Sequence, residues 1–199
     1  GAGESFLQWR LLPKLAKLQR ELSKARIVLL NRRSEDIATG LLSGELEFGV
    51  LPPDEVPASL EFTALAPVEF QVFVPRSLRV EGKEDQPDWP LYLPLVLLEG
   101  GGATFEALTI QAAQNGLKLN VIVECSSHLQ AAEVVRQGLA AAVLPAEAHT
   151  FLAADNVELH SLACLRKATR RIALTWNDHL IRTRPVLGEA VRALARVLT

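Results

Sequence analysis

Directly after a small glycine-rich opening, apolar residues recur at helical spacing at Leu7, Leu11, Leu15, Leu18 and Leu22. They predict a first helix running from Gly1-Ala-Gly-Glu-Ser to about residue 22. Residues 26–31, Arg-Ile-Val-Leu-Leu-Asn, are a nearly continuous apolar run and predict a strand covered on both faces. Ser34 predicts the cap of a second helix, with Glu35 and Asp36 in the first turn, Ile37, Leu41 and Leu42 on the apolar face, and Gly44 as the stop. Residues 48–51 predict another strand, closed by Pro52-Pro53. Helix, strand, helix and strand joined by short connections imply parallel units with right-handed crossovers.

Two more strands are predicted over residues 60–66 and 68–74, the second alternating Val68, Phe70, Val72 and Val74 with Glu69, Gln71 and Phe73. Residues 76–94 read as a polar surface connection punctuated by Pro87, Pro90 and Pro94, a natural domain boundary. The pattern then restarts. A strand at 95–98 is followed by Glu99-Gly-Gly-Gly-Ala-Thr104, a helix to Gln114 stopped by Asn115-Gly116, and a strand at 119–125. Ser126-Ser127 opens a helix ending near Gly138, and a strand at 140–144 ends at Pro145. Strands at 157–162 and 171–176 follow, and a last helix starts at Pro185 with Leu187, Ala190, Val191, Leu194 and Leu198 on one face.

This order predicts an α/β protein of two Rossmann-like lobes with a central cleft. Lobe I is expected to comprise residues 1–75 plus 170–199, and lobe II residues 76–169, with two segments crossing between them. Open parallel sheets bind ligands at the carboxyl ends of their strands, and lobes joined by two hinge segments can close on a small molecule.

Composition narrows the function. The 199 residues are 49% hydrophobic and carry 21 basic against 23 acidic residues, net −2, which gives no electrostatic footprint for nucleic acid or an anionic membrane. No apolar run approaches the roughly 20 residues of a membrane span. No export signal is read at the start of the chain, and a cytoplasmic location is expected. Cys125 and Cys164 are read as free, mostly buried thiols rather than a disulfide framework. The chain contains no Met and reads as a fragment cut at a domain edge.

The residues do not spell out catalysis. His128, His149, His160 and His179 are scattered, there is no Cys-x-x-Cys, and neither a Gly-x-Ser-x-Gly elbow nor a phosphate-binding loop occurs. Cys125 beside Ser126, Ser127 and His128 reads as a buried strand-end thiol rather than a nucleophile. No catalytic residue, metal ligand or cofactor is therefore expected. The binding candidates sit at strand ends and helix starts: Glu4, Ser5, Arg33, Ser34, Leu51, Pro52, Gly101, Gly102, Ala103, Thr104 and Ser127. They offer hydroxyls, helix N-termini and close backbone approach, equipment for a small anion or carboxylate. Ser5, Ser34 and Ser127 read either as N-caps or as ligand contacts, and Arg32 and Arg33 either as solvated surface or as a charge-assisted contact.

Six landmarks occur in sequence: Gly1-Ala-Gly-Glu-Ser-Phe-Leu to Pro13, Ser34-Glu-Asp-Ile to Val50, Phe73-Val-Pro75, Leu97 to Gly102, Gln137-Gly to Pro145, and Arg171 to Trp176. Together they resemble the effector-binding domain of LysR-type transcriptional regulators, along essentially the whole chain. The resemblance implies a type 2 periplasmic-binding-protein fold with a small-molecule inducer held between the lobes. It implies a position after an N-terminal winged helix-turn-helix and a linker helix, and DNA binding only through that missing domain. By position Ser5, Ser34, the strand end at Pro52, the turn at Gly102-Ala103 and Ser127 match the family's effector contacts. A homodimer by antiparallel pairing is implied, or a tetramer at full length, and no membrane association.

The chain departs from the family in three places. The strand expected before the opening turn is not in the sequence, Pro52 replaces a polar residue, and Gly102 replaces a common Ser or Thr. These changes leave more of the recognition to backbone groups. A stand-alone solute-binding protein delivering a small anion to a transporter is the alternative, and an enzyme on the same fold a distant third.

Overall fold

Pro13 breaks the first helix, although the leucine stripe runs straight through it. The chain begins with a short α1 (Glu4–Phe6), continues as a π-helical turn Leu7–Leu11 and a 3-10 turn Leu12–Lys14, and resumes as α2 (Leu15–Glu21). Proline has no N–H for the carbonyl one turn back, so the ladder is rewound around it. This is the computed structural model of the chain, and it describes residues 1–23, 25–79, 82, 86–153 and 156–198.

Next come α3 (Ser34–Ser43), β1 (Phe48–Leu51) and β2 (Glu61–Ala64), then β3 (Phe70–Pro75) and β4 (Pro94–Leu98). After these follow α4 (Gly102–Gln114), β5 (Asn120–Cys125), α5 (His128–Arg136), β6 (Ala141–Pro145), α6 (His149–Leu152) and β7 (Val157–His160). The chain closes with β8 (Ala173–Trp176), α7 (Asp178–Thr183) and α8 (Pro185–Leu198). Gly44 stops α3 in the left-handed conformation, with φ of 79°, as the sequence predicts.

The chain divides into two compact units, Gly1–Pro67 with Arg170–Thr199, and Val68–Thr169. Residues 68–75 were expected in the first lobe but fall in the second unit, because β3 ladders antiparallel with both β6 and β7. Flanked on both sides, β3 is buried on both faces, so its side-chain alternation does not show as in and out.

In the first unit β8 lies between β1 and β2 and is antiparallel to both. The core gathers Ile37 and Leu41 of α3, Leu46, Leu51 at the end of β1, and Leu60. Leu42, expected on the same face, is half exposed. Gly49 lets α3 settle on β1: a Cβ there would press into the Ile37 side chain and lie 2.9 Å from Leu41 Cδ1.

The expected strand at residues 26–31 does not form. Its single rung is a parallel bridge between Ala2 and Asn31, and residues 26–29 have no ladder partner among the described residues. Without a neighbour to accept and donate hydrogen bonds, apolar sequence alone does not make a strand.

The second unit is a five-stranded sheet in the order β5-β4-β6-β3-β7, with β4 parallel to both β5 and β6. Residues 80, 81 and 83–85 of the expected surface connection lie outside the described residues. Its second half is not surface. Trp89, Leu91 and Leu93 are buried, and with Val72, Val74 and Leu108 they form part of this unit's core. Asp88 fixes that turn by accepting from Gln111 Nε2 at 3.0 Å and Asn115 Nδ2 at 2.9 Å.

Candidate functional site

Three of the predicted turns meet at one end of the first unit's sheet. The Ala2 amide donates to the Leu30 carbonyl at 3.1 Å, the Arg32 amide donates to the Ala2 carbonyl at 3.2 Å, and the Val50 amide donates to the Gly1 carbonyl at 3.0 Å. Three stretches of chain therefore run side by side. They leave the turn bearing Glu4 and Ser5, the turn bearing Arg33 and Ser34, and the end of β1 at Leu51 and Pro52 on the same side.

Neither serine caps its helix. Gly3 and Arg33 hold the cap positions, both in extended conformation and without a side-chain cap bond. Ser34 is one residue further in and Ser5 two, both half-buried, and among the described residues neither hydroxyl has a hydrogen-bond partner. The first intrahelical bond of α3 is from the Ile37 amide to the Arg33 carbonyl, 3.0 Å, so the amides of Ser34, Glu35 and Asp36 point out ahead of it. Arg33 is exposed, and the Leu51 side chain is fully buried in the core, so Leu51 can offer only backbone to a ligand.

The second unit builds a parallel arrangement from its own residues. Leu98 pairs with Cys125 across β4 and β5, and the Glu99 amide donates to the Cys125 carbonyl at 2.8 Å. That register sets the turn through Gly101, Gly102, Ala103 and Thr104 beside Ser127. Gly100, Gly101 and Gly102 all have positive φ, 77°, 65° and 60°, a backbone path open to glycine and costly for other residues. Gly102 and Ala103 are exposed, and Thr104 is half-buried at the start of α4.

Ser127 does cap its helix: its Oγ accepts from the Gln130 amide at 3.3 Å. Gln130 answers with its side chain, whose Oε1 accepts from the Ser126 amide at 3.0 Å and the Ser126 hydroxyl at 3.2 Å. Sequence reasoning missed this partner, although Ser-x-x-Gln is the spacing of a capping box. His128, read in the sequence only as a neighbour of Cys125, stacks its ring on Phe70 with centroids 6.3 Å apart.

Burial pushes the Cys125 thiol above its ordinary pKa, Glu124 pushes it the same way, and a hydrogen bond to the backbone at Ser127 opposes them only in part, so the thiol stays protonated. Its Sγ donates to the Ser127 carbonyl at 3.4 Å. Among the described residues no group of three or more His, Cys, Asp or Glu could hold a metal ion. Nor is any helix among them long and apolar enough to cross a membrane.

Residues 1–199 match the family model described as the LysR substrate binding domain. A search of curated protein sequences finds no match. Solved structures are similar in fold. The regulatory domain of MexT, a transcriptional activator in Pseudomonas aeruginosa, is 17% identical with a TM-score of 0.73, over 99% of this chain and 97% of that one. A reduced form of OxyR from Neisseria meningitidis is 18% identical with a TM-score of 0.72, over 100% and 92%. A mutant OxyR of Corynebacterium glutamicum with hydrogen peroxide bound is 14% identical with a TM-score of 0.69, and the chain spans 62% of its length.

Proposed function

This chain belongs to the LysR substrate binding domain family, the effector-sensing part of LysR-type transcriptional regulators, and on that premise we propose that it binds a small anion or carboxylate. The proposed contacts are Glu4, Ser5, Arg33, Ser34, Leu51 and Pro52 in the first unit, and Gly101, Gly102, Ala103, Thr104 and Ser127 in the second. The observation that carries this reading is the pair of hydroxyls on Ser5 and Ser34. They stand at two neighbouring helix starts without a partner among the described residues, beside amides left open by α3. Open amides at a helix start favour negative charge, and a hydroxyl adds a directional contact.

The output follows from linkage. An effector that binds one arrangement of the two units more tightly biases the population toward it, by as much as its differential affinity and no more. In a regulator of this family that bias is read by a helix-turn-helix domain N-terminal to this one, which makes the DNA contacts. Homodimers suit such a reader, because paired half-sites demand a twofold axis.

The test is a thermal-shift screen against small carboxylates, amino acids and aromatic acids. A ligand at ~100 times its dissociation constant adds about 2.7 kcal/mol of stability. Ser5→Ala and Ser34→Ala should abolish the shift while leaving the unliganded midpoint in place, since neither hydroxyl holds the fold together. A ligand whose shift survives both substitutions binds elsewhere and overturns the assignment.

A further inference from the structure

The Asn115-Gly116 step that stops α4 carries a chemistry of its own. In an Asn-Gly pair the glycine amide nitrogen can attack the asparagine side-chain carbonyl carbon, because glycine has no side chain to shield it. Asn115 is the only asparagine in the sequence followed by glycine, and both residues are exposed.

Three features of the fold hold the reacting atoms apart. Asn115 has φ of −90° and ψ of 7°, which sets the Gly116 nitrogen beside the Asn115 backbone nitrogen, a third of a turn away from the side chain. Gly116, at φ of 67°, makes a left-handed helix stop. Its amide donates to the Ala113 carbonyl at 3.0 Å and the Leu117 amide donates to the Ala112 carbonyl at 2.8 Å, so the nucleophile is committed to the stop. The third restraint is Asp88, whose Oδ2 accepts from Asn115 Nδ2 at 2.9 Å and from Gln111 Nε2, one turn earlier, at 3.0 Å. The first two restraints belong to α4 and are lost whenever its last turn frays. The third ties that turn to another element, the 3-10 turn Trp89–Tyr92 that Asp88 precedes.

Helix ends open more readily than the fold as a whole. From this arrangement we propose that Asn115 is a deamidation site held closed by Asp88, so that modification marks chains in which the end of α4 has opened. In the open turn the Gly116 nitrogen, its proton lost to water, bonds to Asn115 Cγ. The Cγ–Nδ2 bond breaks, the side-chain nitrogen takes up a proton and leaves as ammonia, and a five-membered succinimide remains. Water then opens either carbonyl of that ring to give aspartate or isoaspartate. The sum is asparagine plus water to a carboxylic acid plus ammonia, with no change of oxidation state. The mark is lasting: a carboxylate at residue 115 replaces a donor to Asp88 by a like charge, at the end of a helix that disfavours negative charge. The turn bearing the buried Trp89, Leu91 and Leu93 then loses its Asn115 tie to α4. This inference is independent of the proposed effector chemistry.

The test compares three samples in mildly alkaline buffer: the 199-residue chain, its Asp88→Ala variant, and a peptide of residues 111–119, too short to hold a helix. Peptide mapping by mass spectrometry follows the conversion of amide to acid at residue 115. The parent should react at least about tenfold more slowly than the peptide, and Asp88→Ala about tenfold faster than the parent, since a hydrogen bond to a charged group is lost. Leu144 is fully buried on β6 and takes no part in the Asp88 bonds, so Leu144→Ala weakens the same unit and should accelerate the reaction less. If Asp88→Ala does not fold, Asp88→Asn, which keeps the shape and loses the charge, takes its place and should fall between parent and peptide. A parent as fast as the peptide, an Asp88 variant no faster than the parent, or equal acceleration by Leu144→Ala overturns the proposal.

Discussion

Ala2 and Asn31 form one isolated parallel bridge, and on it depends the nearness of two helix starts. The rung is short, 3.1 Å from the Ala2 amide to Leu30 and 3.2 Å from the Arg32 amide to Ala2, and Ala2 itself is buried. Because the chain leaves each side of that bridge into a turn, Ser5 and Ser34 are placed by backbone pairing rather than by contacts of their own. Side chains free of structural duty can be spent on a ligand, which is why their loss should cost binding and not stability.

Gly49 should behave in the opposite way. It faces α3 where Ile37 and Leu41 are both buried, and an added methyl would collide with both side chains. Gly49→Ala is expected to destabilise by about 1–3 kcal/mol through overpacking. Urea denaturation should show a lower midpoint with an unchanged slope. An unaltered midpoint would mean that α3 can shift away from β1 at little cost.

The Ser127 cap gives a graded prediction. Ser127→Ala removes the acceptor for the Gln130 amide and should cost about 1 kcal/mol, whereas Ser127→Gly should cost only a few tenths. Thermal melts of the two variants side by side decide it. If alanine and glycine are equal and both near the parent, the cap contributes nothing beyond what solvent would.

Local signals were legible in the sequence, and pairing was not. Gly44, Asn115-Gly116, Ser127 and Pro185 act where the sequence puts them, because a left-handed stop, a hydroxyl cap or a proline at the first helical turn is decided by the residue itself. The run at 26–31 has strand composition, but strand formation is decided by what lies alongside. The sense of β8, antiparallel to both β1 and β2, is equally invisible in its own residues. Pro13 was visible and outweighed by the leucine stripe. Of the site, the turns were legible because glycine and serine mark them. The free state of the Ser5 and Ser34 hydroxyls was not, since it depends on helices starting earlier than the serines suggest, by two residues at α1 and by one at α3.

His160 on β7 packs edge-on against Trp89, centroids 4.8 Å apart, and its Nε2 lies 3.7 Å from Glu158 Oε2, too far for a hydrogen bond. Glu158 is itself shared with Arg76 at 3.2 Å and Arg79 at 3.5 Å. Burial lowers the imidazole pKa below its ordinary 6.5. Glu158 pulls it back up, and Arg79 adds to the lowering. The unfolded chain therefore takes up a proton at a higher pH than the folded one. Between the two pKa values the unfolded state binds more protons, so stability rises with pH. The contribution is complete above about 6.5 and shrinks as pH falls below it. Melting midpoints taken from pH 7.5 down to 5.5 should drop for the parent and drop less for His160→Gln. Equal slopes in the two chains would exclude His160 as the source of acid sensitivity in this window, which lies above the range where carboxylates titrate.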